Sequence, residues 1–497
     1  MHNIVKLADT TRVYDVASIT PLSHAHQLSK RLENNIYLKR EDELSIHSFK
    51  LRGAYQKISS LTAEQAAKGV VASSAGNHAQ GVALSANKLG IESVIVMPLS
   101  TPKIKVNAVK QLGGKVVLHG DVYDDAYQYA KQLEEQQDLV FIPPYDDIEV
   151  MAGQATIAKE LLGQLANIDK VFIPVGGGGL IAGIATYIKH YAPQIRVIGV
   201  EPQDSPTLYE ALKQDKRVIL PEVGRFADGV AVRQIGEKTF EVAKQVVDEV
   251  ILVSNDEICA AIKDIYEDVR SISEPAGALA TAGIKKYVDQ HNLVNENLVS
   301  IVSGANVNFD RLRYISERAD IGEHNEAIIA VTIDEQPGSF LKFCEMLEDH
   351  SITEFNYRYG SESQARIFVG VSLHEGLSEK QALLDRLSDS YDVLDMSDNS
   401  IAKTHIRYMV GGRSQCENEV LYRFEFPERP GALLNFLKKV GSHWNITLFH
   451  YRNHGADFGR VLIGLQAQDV AQLEQSFDEL GYFYQNETSN KAYQYFL

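Results

Sequence analysis

A run of four glycines at residues 176–179 constrains this chain of 497 residues more than any other feature. The apolar segment 171–175 precedes the run, and a second apolar segment begins at Leu180. The glycines are therefore predicted to form the turn between a buried strand and a helix. Because glycine allows close approach to the backbone and a helix N-terminus carries partial positive charge, this turn suits a phosphate group.

Lys50 lies in a short segment of apolar and small residues, with Phe49 before it and Gly53 and Ala54 after it. Taken alone, one lysine is most simply a solvated surface group. Its neighbours, however, predict partial burial, which makes the neutral amine easier to form. A lysine that can form a Schiff base, together with a phosphate site, is what pyridoxal phosphate requires, and we predict that cofactor.

The composition limits the class of protein. A hydrophobic content of 44% and a charged content of 23% are typical of a soluble globular chain. The net charge of −17 disfavours nucleic acid and anionic membranes as partners. Three cysteines without metal-ligand spacing favour a reducing compartment. Residues 1–11 lack the apolar region of a signal peptide, so the cytoplasm is the expected location.

Between about residues 21 and 308, apolar strands alternate with amphipathic helices. The predicted strands are residues 70–72, 93–97, 115–118, 171–175, 196–200 and 298–302, with helices at 79–88 and 103–112. Buried strands that alternate with helices predict a parallel sheet in an α/β architecture. Because the cofactor needs a cleft, two open sub-sheets are expected. The uncharged stretch 171–188 is about long enough to span a membrane, but its proline and five glycines favour a strand, a turn and a helix.

A charged segment at residues 317–326 predicts a domain boundary, and an internal repeat follows it. Segment 337–343 matches segment 430–436, and Tyr357 matches Tyr451 at a spacing of 451 − 357 = 94 residues. The first copy reads strand, helix, strand, strand, helix, strand, an order that predicts a ferredoxin-like βαββαβ fold for each copy. Its predicted elements are residues 327–333, 338–347, 352–359, 366–372, 378–387 and 391–395.

A polar segment at residues 73–78 follows a predicted strand and opens a helix. Small residues and hydroxyls at a helix start suit a carboxylate ligand, but a simple N-cap by Ser74 or Asn77 is an equal alternative. Asn77 could also bond the ring hydroxyl of the cofactor. His78 is as readily a packed core histidine as a substrate contact.

Two further segments have both structural and functional interpretations. Ser303 ends the strand 298–302, and its hydroxyl could meet the pyridine nitrogen, although a glycine-containing turn is the alternative. Glu274, in Glu-Pro-Ala-Gly, either starts a helix or belongs to a site, and the sequence does not decide. Glu201 lies 201 − 179 = 22 residues beyond the last of the four glycines, which leaves a dinucleotide-binding fold open as an alternative.

Together these motifs resemble those of the pyridoxal-phosphate-dependent serine/threonine dehydratases. The matching segments are residues 48–54, 74–78, 176–180, 274–277 and 303–306. Their order and approximate spacing fit, and the resemblance covers about residues 9–313. The C-terminal repeat is similar to the paired ACT-like domains of the biosynthetic threonine ammonia-lyases (threonine deaminases).

The resemblance implies a fold type II (tryptophan synthase β-like) catalytic domain over residues 1–320, with ACT-like regulatory domains at 325–398 and 417–490. It implies that Lys50 binds the cofactor covalently and that Asn77 and Ser303 contact its ring. The implied phosphate site is Gly176, Gly177, Gly178, Gly179 and Leu180, and the implied substrate-carboxylate site is Ser74, Ala75, Gly76, Asn77 and His78. A metal cation near the cofactor is common in this fold, but no ligands are assigned.

The resemblance also implies an activity and its regulation. L-Threonine would be deaminated to 2-oxobutanoate and ammonia, opening isoleucine synthesis, with inhibition by isoleucine, relief by valine and a homotetrameric assembly. Tyr357, Arg358, Tyr451 and Arg452 are expected to line the effector positions, or else to be strand residues that pack on a helix. The alternatives are a serine dehydratase or racemase, a cysteine synthase-type β-replacement enzyme, an amino-acid sensor with a degenerate core, and a dinucleotide oxidoreductase.

Overall fold

The computed structural model describes the chain in two units, Met1–Ala319 and Asp320–Leu497. The described residues are all of 1–497 except 100, 225, 310, 335, 337, 348–349, 359–363, 400–401, 404–405, 409–415, 428–431, 441–443, 453–457 and 491–497.

The described residues of the first unit form ten strands. They are β1 Leu22–His24, β2 Asn35–Arg40, β3 Val70–Ser73, β4 Ser93–Met97, β5 Lys115–Leu118, β6 Val140–Phe141, β7 Lys170–Pro174, β8 Arg196–Pro202, β9 Glu249–Val253 and β10 Asn297–Val302. A six-stranded sheet has the order β1-β2-β10-β7-β8-β9, and a four-stranded sheet has the order β5-β4-β3-β6. Apart from the antiparallel β1–β2 pair, all the pairings in these two sheets are parallel. The prediction of two sub-sheets is confirmed.

Helices surround both sheets of this unit. They are α1 His2–Asp9, α2 His26–Arg31, α3 Lys50–Ser59, α4 Ala63–Lys68, α5 Asn77–Lys88, α6 Lys103–Gln111, α7 Tyr123–Gln137, α8 Ile148–Gln164, α9 Gly179–Tyr191, α10 Thr207–Gln214, α11 Glu237–Val246, α12 Asn255–Val269 and α13 Pro275–His291. α14 Arg311–Gly322 spans the division between the units. Short 3-10 helices occupy Val13–Asp15, Glu41–Glu43, Asp228–Val230 and, in the second unit, Ile406–Tyr408.

Burial on both faces explains the continuous apolar runs of the central strands. Along β7, Val171 and Ile173 belong to one core cluster, whereas Phe172 lies in the cluster on the other face of the sheet. Along β3, Val70 and Val71 are divided between two clusters in the same way. Since polar side chains are excluded from both faces, each strand reads as an unbroken apolar segment.

Three of the loops that the sequence singles out follow parallel strands at their carboxyl ends. The glycine turn follows β7, the segment after Ser73 follows β3, and Ser303 follows β10. β7 and β10 are neighbours in the six-stranded sheet, so their loops leave the same edge side by side.

The second unit contains the repeat as one joined antiparallel sheet. Its elements are β11 Glu326–Asp334, α15 Ser339–Met346, β12 Ile352–Arg358, β13 Gln364–Ser372, α16 Leu377–Ser388, β14 Asp392–Asp395, β15 Glu419–Pro427, α17 Ala432–Val440, β16 Asn445–Arg452, β17 Phe458–Gln466, α18 Val470–Leu480 and β18 Phe483–Asn486. The sheet order is β14-β11-β13-β12-β16-β17-β15-β18. Each copy has the predicted βαββαβ order, and the two copies are joined where β12 pairs with β16.

Candidate active site

Lys50 is the first residue of α3, and the chain around it is tied to the segment after β10. Ser48 forms an isolated antiparallel bridge with Gly304. The backbone N–H of Phe49 donates to the carbonyl oxygen of Ser303 over 3.2 Å. These bonds place Lys50 at the carboxyl edge of the six-stranded sheet.

The amine of Lys50 has the electrostatics of a reactive lysine. Its Nζ donates to the carbonyl oxygen of Pro144 over 2.8 Å. Burial lowers the pKa of Lys50 to about 8, against the opposing influence of the Glu274 carboxylate. About a tenth of the amine is therefore neutral at pH 7, so it can act as a nucleophile or a base.

The carbonyl groups of the glycine turn are held by two threonine hydroxyls. Thr207 Oγ1 donates to the oxygen of Gly176 over 3.2 Å, and Thr239 Oγ1 donates to that of Gly177 over 2.7 Å. In a planar trans peptide the next N–H points away from the carbonyl. The amides that follow these two carbonyls therefore point away from the threonines, which is the donor arrangement a phosphate needs.

Only glycine fits this turn. Gly178 has φ +89°, and a Cβ added at Gly177 would lie 2.3 Å from the ring of Tyr145. α9 begins at once, with Gly179 and the buried Leu180 as its first two residues. Tyr145 directly follows Pro144, the residue whose carbonyl binds Lys50, so a single dipeptide contacts both the amine and the glycine turn.

The polar segment after β3 leaves a helix start without a side-chain cap. α5 begins at Asn77 with Gly76 as its N-cap residue, and no side chain caps it. The hydroxyl of Ser74 instead accepts from the N–H of Gly76 over 3.2 Å. Ser74, Ala75, Gly76 and Asn77 are partly exposed. The first N–H groups of α5 are thus suited to a carboxylate.

His78 is placed as a packed core histidine. It is buried, and its Nε2 lies 2.9 Å from the carbonyl oxygen of Ile142, to which it donates. Burial, and next the charge of Lys50, lower the pKa of His78 to about 3, so the imidazole is neutral.

Glu274 is both the N-cap residue of α13 and part of the site, a role that the sequence left undecided. Its Oε1 accepts from Asn77 Nδ2 over 2.7 Å. Burial, and next the charge of Asp228, raise the pKa of Glu274 to about 7. The sequence feature that could have assigned Glu274 to the site is an acid directly before Pro-Ala-Gly, placed between the motifs at residues 176–180 and 303–306.

Ser303 lies beside these groups at the end of β10. Its side chain is buried, and its hydroxyl lies 3.4 Å from the carbonyl oxygen of Ala276 in the first turn of α13. Hydrogen bonds thus link the segments that carry Lys50, Asn77 and Ser303, since Phe49 bonds Ser303 while Asn77 and Ser303 both bond the start of α13.

Glu201, the residue that left a dinucleotide fold open, is already committed to the protein backbone. Its carboxylate is buried and accepts from the N–H groups of Leu208 and Tyr209 over 2.8 and 2.9 Å. It also lies 2.9 Å from the hydroxyl of Thr207, whose one hydrogen is shared between this carboxylate and the carbonyl of Gly176. It closes the start of α10 and is not placed to bind the hydroxyls of a ribose.

The tyrosines expected at the effector positions lie in the core of the second unit. Tyr357 and Tyr451 are both buried, and Tyr357 pairs with Phe449 across the strands that join the two copies. Arg358 and Arg452 lie on the same strands, and their side chains fall outside the described residues.

Two other sequence questions are answered for the described part of the chain. No helix there is both long enough and apolar enough to cross a membrane. The stretch 171–188 is divided between β7 and α9. Among the same residues, no three His, Cys, Asp or Glu side chains cluster as metal ligands would.

The chain matches two family models. The family described as pyridoxal-phosphate dependent enzyme matches residues 13–304, and the C-terminal regulatory domain of threonine dehydratase matches 317–406 and 410–497. The L-threonine dehydratase biosynthetic IlvA of Pasteurella multocida (strain Pm70) is 56% identical over 99% of this chain and 97% of its own. The corresponding protein of Escherichia coli (strain K12) is 54% identical over 98% and 95%. The chain belongs to the biosynthetic threonine dehydratase family.

Solved structures that this chain resembles agree with the fold of its catalytic part. The processed form of threonine deaminase isoform 2 from Solanum lycopersicum has a TM-score of 0.64 and 48% identity, covering 64% of this chain and 88% of that one. Serine racemase from Dictyostelium discoideum has a TM-score of 0.58 and 32% identity, covering 62% and 98%. The predictions of a fold type II lyase and of pyridoxal phosphate are confirmed.

Proposed function

We propose that this protein deaminates L-threonine to 2-oxobutanoate and ammonia, the opening step of isoleucine biosynthesis. The observation that carries the proposal is the Lys50 amine, with its pKa lowered to about 8, bonded to the carbonyl of Pro144, whose neighbour Tyr145 packs against the glycine turn. Relatives that match along nearly the whole chain and are named threonine dehydratases support the choice of substrate.

The residues of the site divide the work of binding. Lys50 holds the cofactor covalently, and the amides of residues 176–180 bind its phosphate. Asn77 and Ser303 face its ring. The uncapped start of α5, residues 74–78, binds the substrate carboxylate. Bound pyridoxal phosphate supplies an electron sink that makes the Cα–H bond of the substrate acidic.

Lys50 moves the proton that begins the reaction. With cofactor and substrate bound, the amine of Lys50 would accept the Cα proton, which a pKa near 8 allows at neutral pH. The Cα–H electron pair would form the Cα–Cβ double bond as the Cβ–O bond breaks, and the proton taken up by Lys50 balances the hydroxide that leaves, so that water is the second product. The released 2-aminocrotonate takes up water and expels ammonia to give 2-oxobutanoate.

Regulation by isoleucine and valine is assigned to residues 325–398 and 417–490, and catalysis to residues 1–320. Tyr357 and Tyr451, with Arg358 and Arg452, are proposed to line equivalent effector positions. Their strands adjoin where the two copies meet, so binding at either position can alter the pairing between the copies. A cytoplasmic homotetramer completes the proposal.

The test is the production of 2-oxobutanoate from L-threonine by the purified protein while isoleucine is titrated in. Turnover that isoleucine suppresses is expected, and valine should relieve the suppression. Lys50→Ala should retain the melting temperature of the apoprotein yet show no turnover. Normal turnover by this variant would overturn the role given to Lys50.

L-Serine is the second candidate substrate, favoured by the 32% identity to a serine racemase. The same preparation is therefore assayed for pyruvate from L-serine. A kcat/KM for L-serine above that for L-threonine would replace the proposed substrate.

A further inference from the structure

Three side chains form a hydrogen-bonded chain in the candidate active site. Asn77 Nδ2 donates to Glu274 Oε1 over 2.7 Å, and Asn77 Oδ1 accepts from Asn306 Nδ2 over 2.8 Å. Asn306 Nδ2 also donates to the carbonyl oxygen of Ile46 over 2.8 Å. The chain thus runs from a backbone carbonyl to a buried carboxylate.

The direction of every bond in this chain follows from its two ends. A backbone carbonyl only accepts, so Ile46 requires the amide nitrogen of Asn306. Both hydrogens of that nitrogen are then used, and Asn77 has to present its oxygen to Asn306. The nitrogen of Asn77 therefore faces Glu274. Within the described residues one of its two hydrogens is used, which leaves the second for an oxygen acceptor on the bound cofactor.

Glu274 occupies this place at a cost to stability. Its side chain does not cap the backbone of α13, so the helix does not require an acid there. Burial, reinforced by the charge of Asp228, raises the pKa of Glu274 to about 7, while the hydrogen bond from Asn77 opposes the shift. The carboxylate of Glu274 also restricts Gly304, which lies next to it in space, since a Cβ on Gly304 would lie 2.6 Å from Oε1 of Glu274.

We propose that Glu274 is a positioning residue for cofactor binding, which acts by holding the amide of Asn77 with one Nδ2–H directed to the cofactor. Asn306 fixes the other end of the same amide. The inference rests on the proposed function, because the contact between Asn77 and the cofactor belongs to it.

The experiment compares Glu274→Met with Glu274→Gln in the full-length holoenzyme. The measured quantity is the rate of pyridoxal phosphate release, followed as the loss of visible absorbance when a scavenger traps the free cofactor. Met removes the acceptor, and release should become up to about tenfold faster, as expected for the loss of one hydrogen bond. Gln keeps a carbonyl oxygen for Asn77, so release should stay within about threefold of the parent rate.

An Asn77→Ala background separates positioning from general loosening of the fold. There Glu274→Met should leave the release rate unchanged, since the amide it positions is gone. A further acceleration in that background, or a parent-like rate for Glu274→Met alone, overturns the inference. A parent protein that binds no pyridoxal phosphate overturns the proposed function instead.

Asn306→Ala keeps the test decisive if Glu274→Met does not fold, as judged by apoprotein melting. It breaks the same chain at its other end, and it should accelerate release in the parent protein but not in the Asn77→Ala background. Release at the parent rate would refute the positioning role.

Discussion

Arg52, two residues beyond Lys50, is the centre of a buried ion network. Its side chain is 0% exposed, and it binds Glu41 at 2.7 Å and Glu160 at 2.5 Å, both of which are also buried. Lys39 binds the second carboxylate of the network at 2.6 Å. Two cations thus balance two anions with almost no solvent contact. The four residues come from β2, the 3-10 helix that follows it, α3 and α8.

Arg52→Met removes one cation and leaves two buried carboxylates with a single positive partner. Breaking a buried pair in this way costs roughly 3–5 kcal/mol. With a urea dependence on the order of 3 kcal/mol per molar, the unfolding midpoint should fall by about 1–1.7 M. Arg12→Met is the matched control, because Arg12 and Asp15 pair with side chains 64% and 44% exposed, and such pairs contribute about 0–1 kcal/mol.

The assay is urea unfolding of the apoprotein, followed by far-ultraviolet circular dichroism. Fluorescence of Trp444, the single tryptophan, follows the unit Asp320–Leu497 separately. The double variant Glu41→Gln/Arg52→Met should regain at least about 1 kcal/mol over Arg52→Met, because one uncompensated charge is removed. Equal unfolding midpoints for Arg52→Met and Arg12→Met would contradict the structure, because they would show that removing Arg52 leaves no uncompensated buried charge.

Three further predictions concern the site and its regulation. Thr207→Val and Thr239→Val each remove a hydroxyl that holds the glycine turn, so pyridoxal phosphate should bind about 2–10-fold more weakly in titrations of the apoprotein, with Ser variants restoring affinity. For His78, the folded-state pKa near 3 lies below its unfolded value of 6.5, so its contribution to stability is complete above pH 6.5 and is lost as pH falls. His78→Gln can still donate to Ile142 but does not titrate. Between pH 6.5 and 5, the free energy of unfolding of this variant should therefore fall less steeply than that of the parent protein, by up to about 1.4 kcal/mol per pH unit. An unchanged slope would refute the assignment. Tyr451→Ala should raise the isoleucine concentration needed for half-inhibition of threonine turnover, and an unaltered inhibition curve would remove it from the effector position.

Local sequence pattern was sufficient for most of the elements. The strand predicted at 93–97 coincides with β4, which is buried throughout and therefore reads as a continuous apolar run. The strand predicted at 115–118 coincides with β5, a partly exposed strand at the edge of the four-stranded sheet. β1, β2, β6 and β9 were not predicted. Residues of β2 are alternately exposed and buried near its start, and its partner β10 lies more than 250 residues later in the chain. A pairing of that kind leaves little local signal.

The residues of the candidate site likewise divide into those that local sequence predicts and those that it does not. Lys50 and the glycines could be predicted because each motif states its chemistry within a few residues. Glu274 could not be assigned, since its partner Asn77 is 197 residues away and the acid is equally acceptable as a helix start. Similarly, Thr207 and Thr239 carry no sequence signal, because their role depends on the direction in which the turn carbonyls point.

The sequence by itself determined the cofactor, the α/β class, the repeat and its βαββαβ order, because these follow from residue type and short-range periodicity. Only the tertiary structure decided which ionisable groups are buried together, and hence that Lys50 has a pKa near 8, that Glu274 joins the site and that His78 stays neutral in the core. The physical reason is that desolvation and hydrogen bonding depend on what surrounds a group in space, and most of those neighbours are distant along the chain.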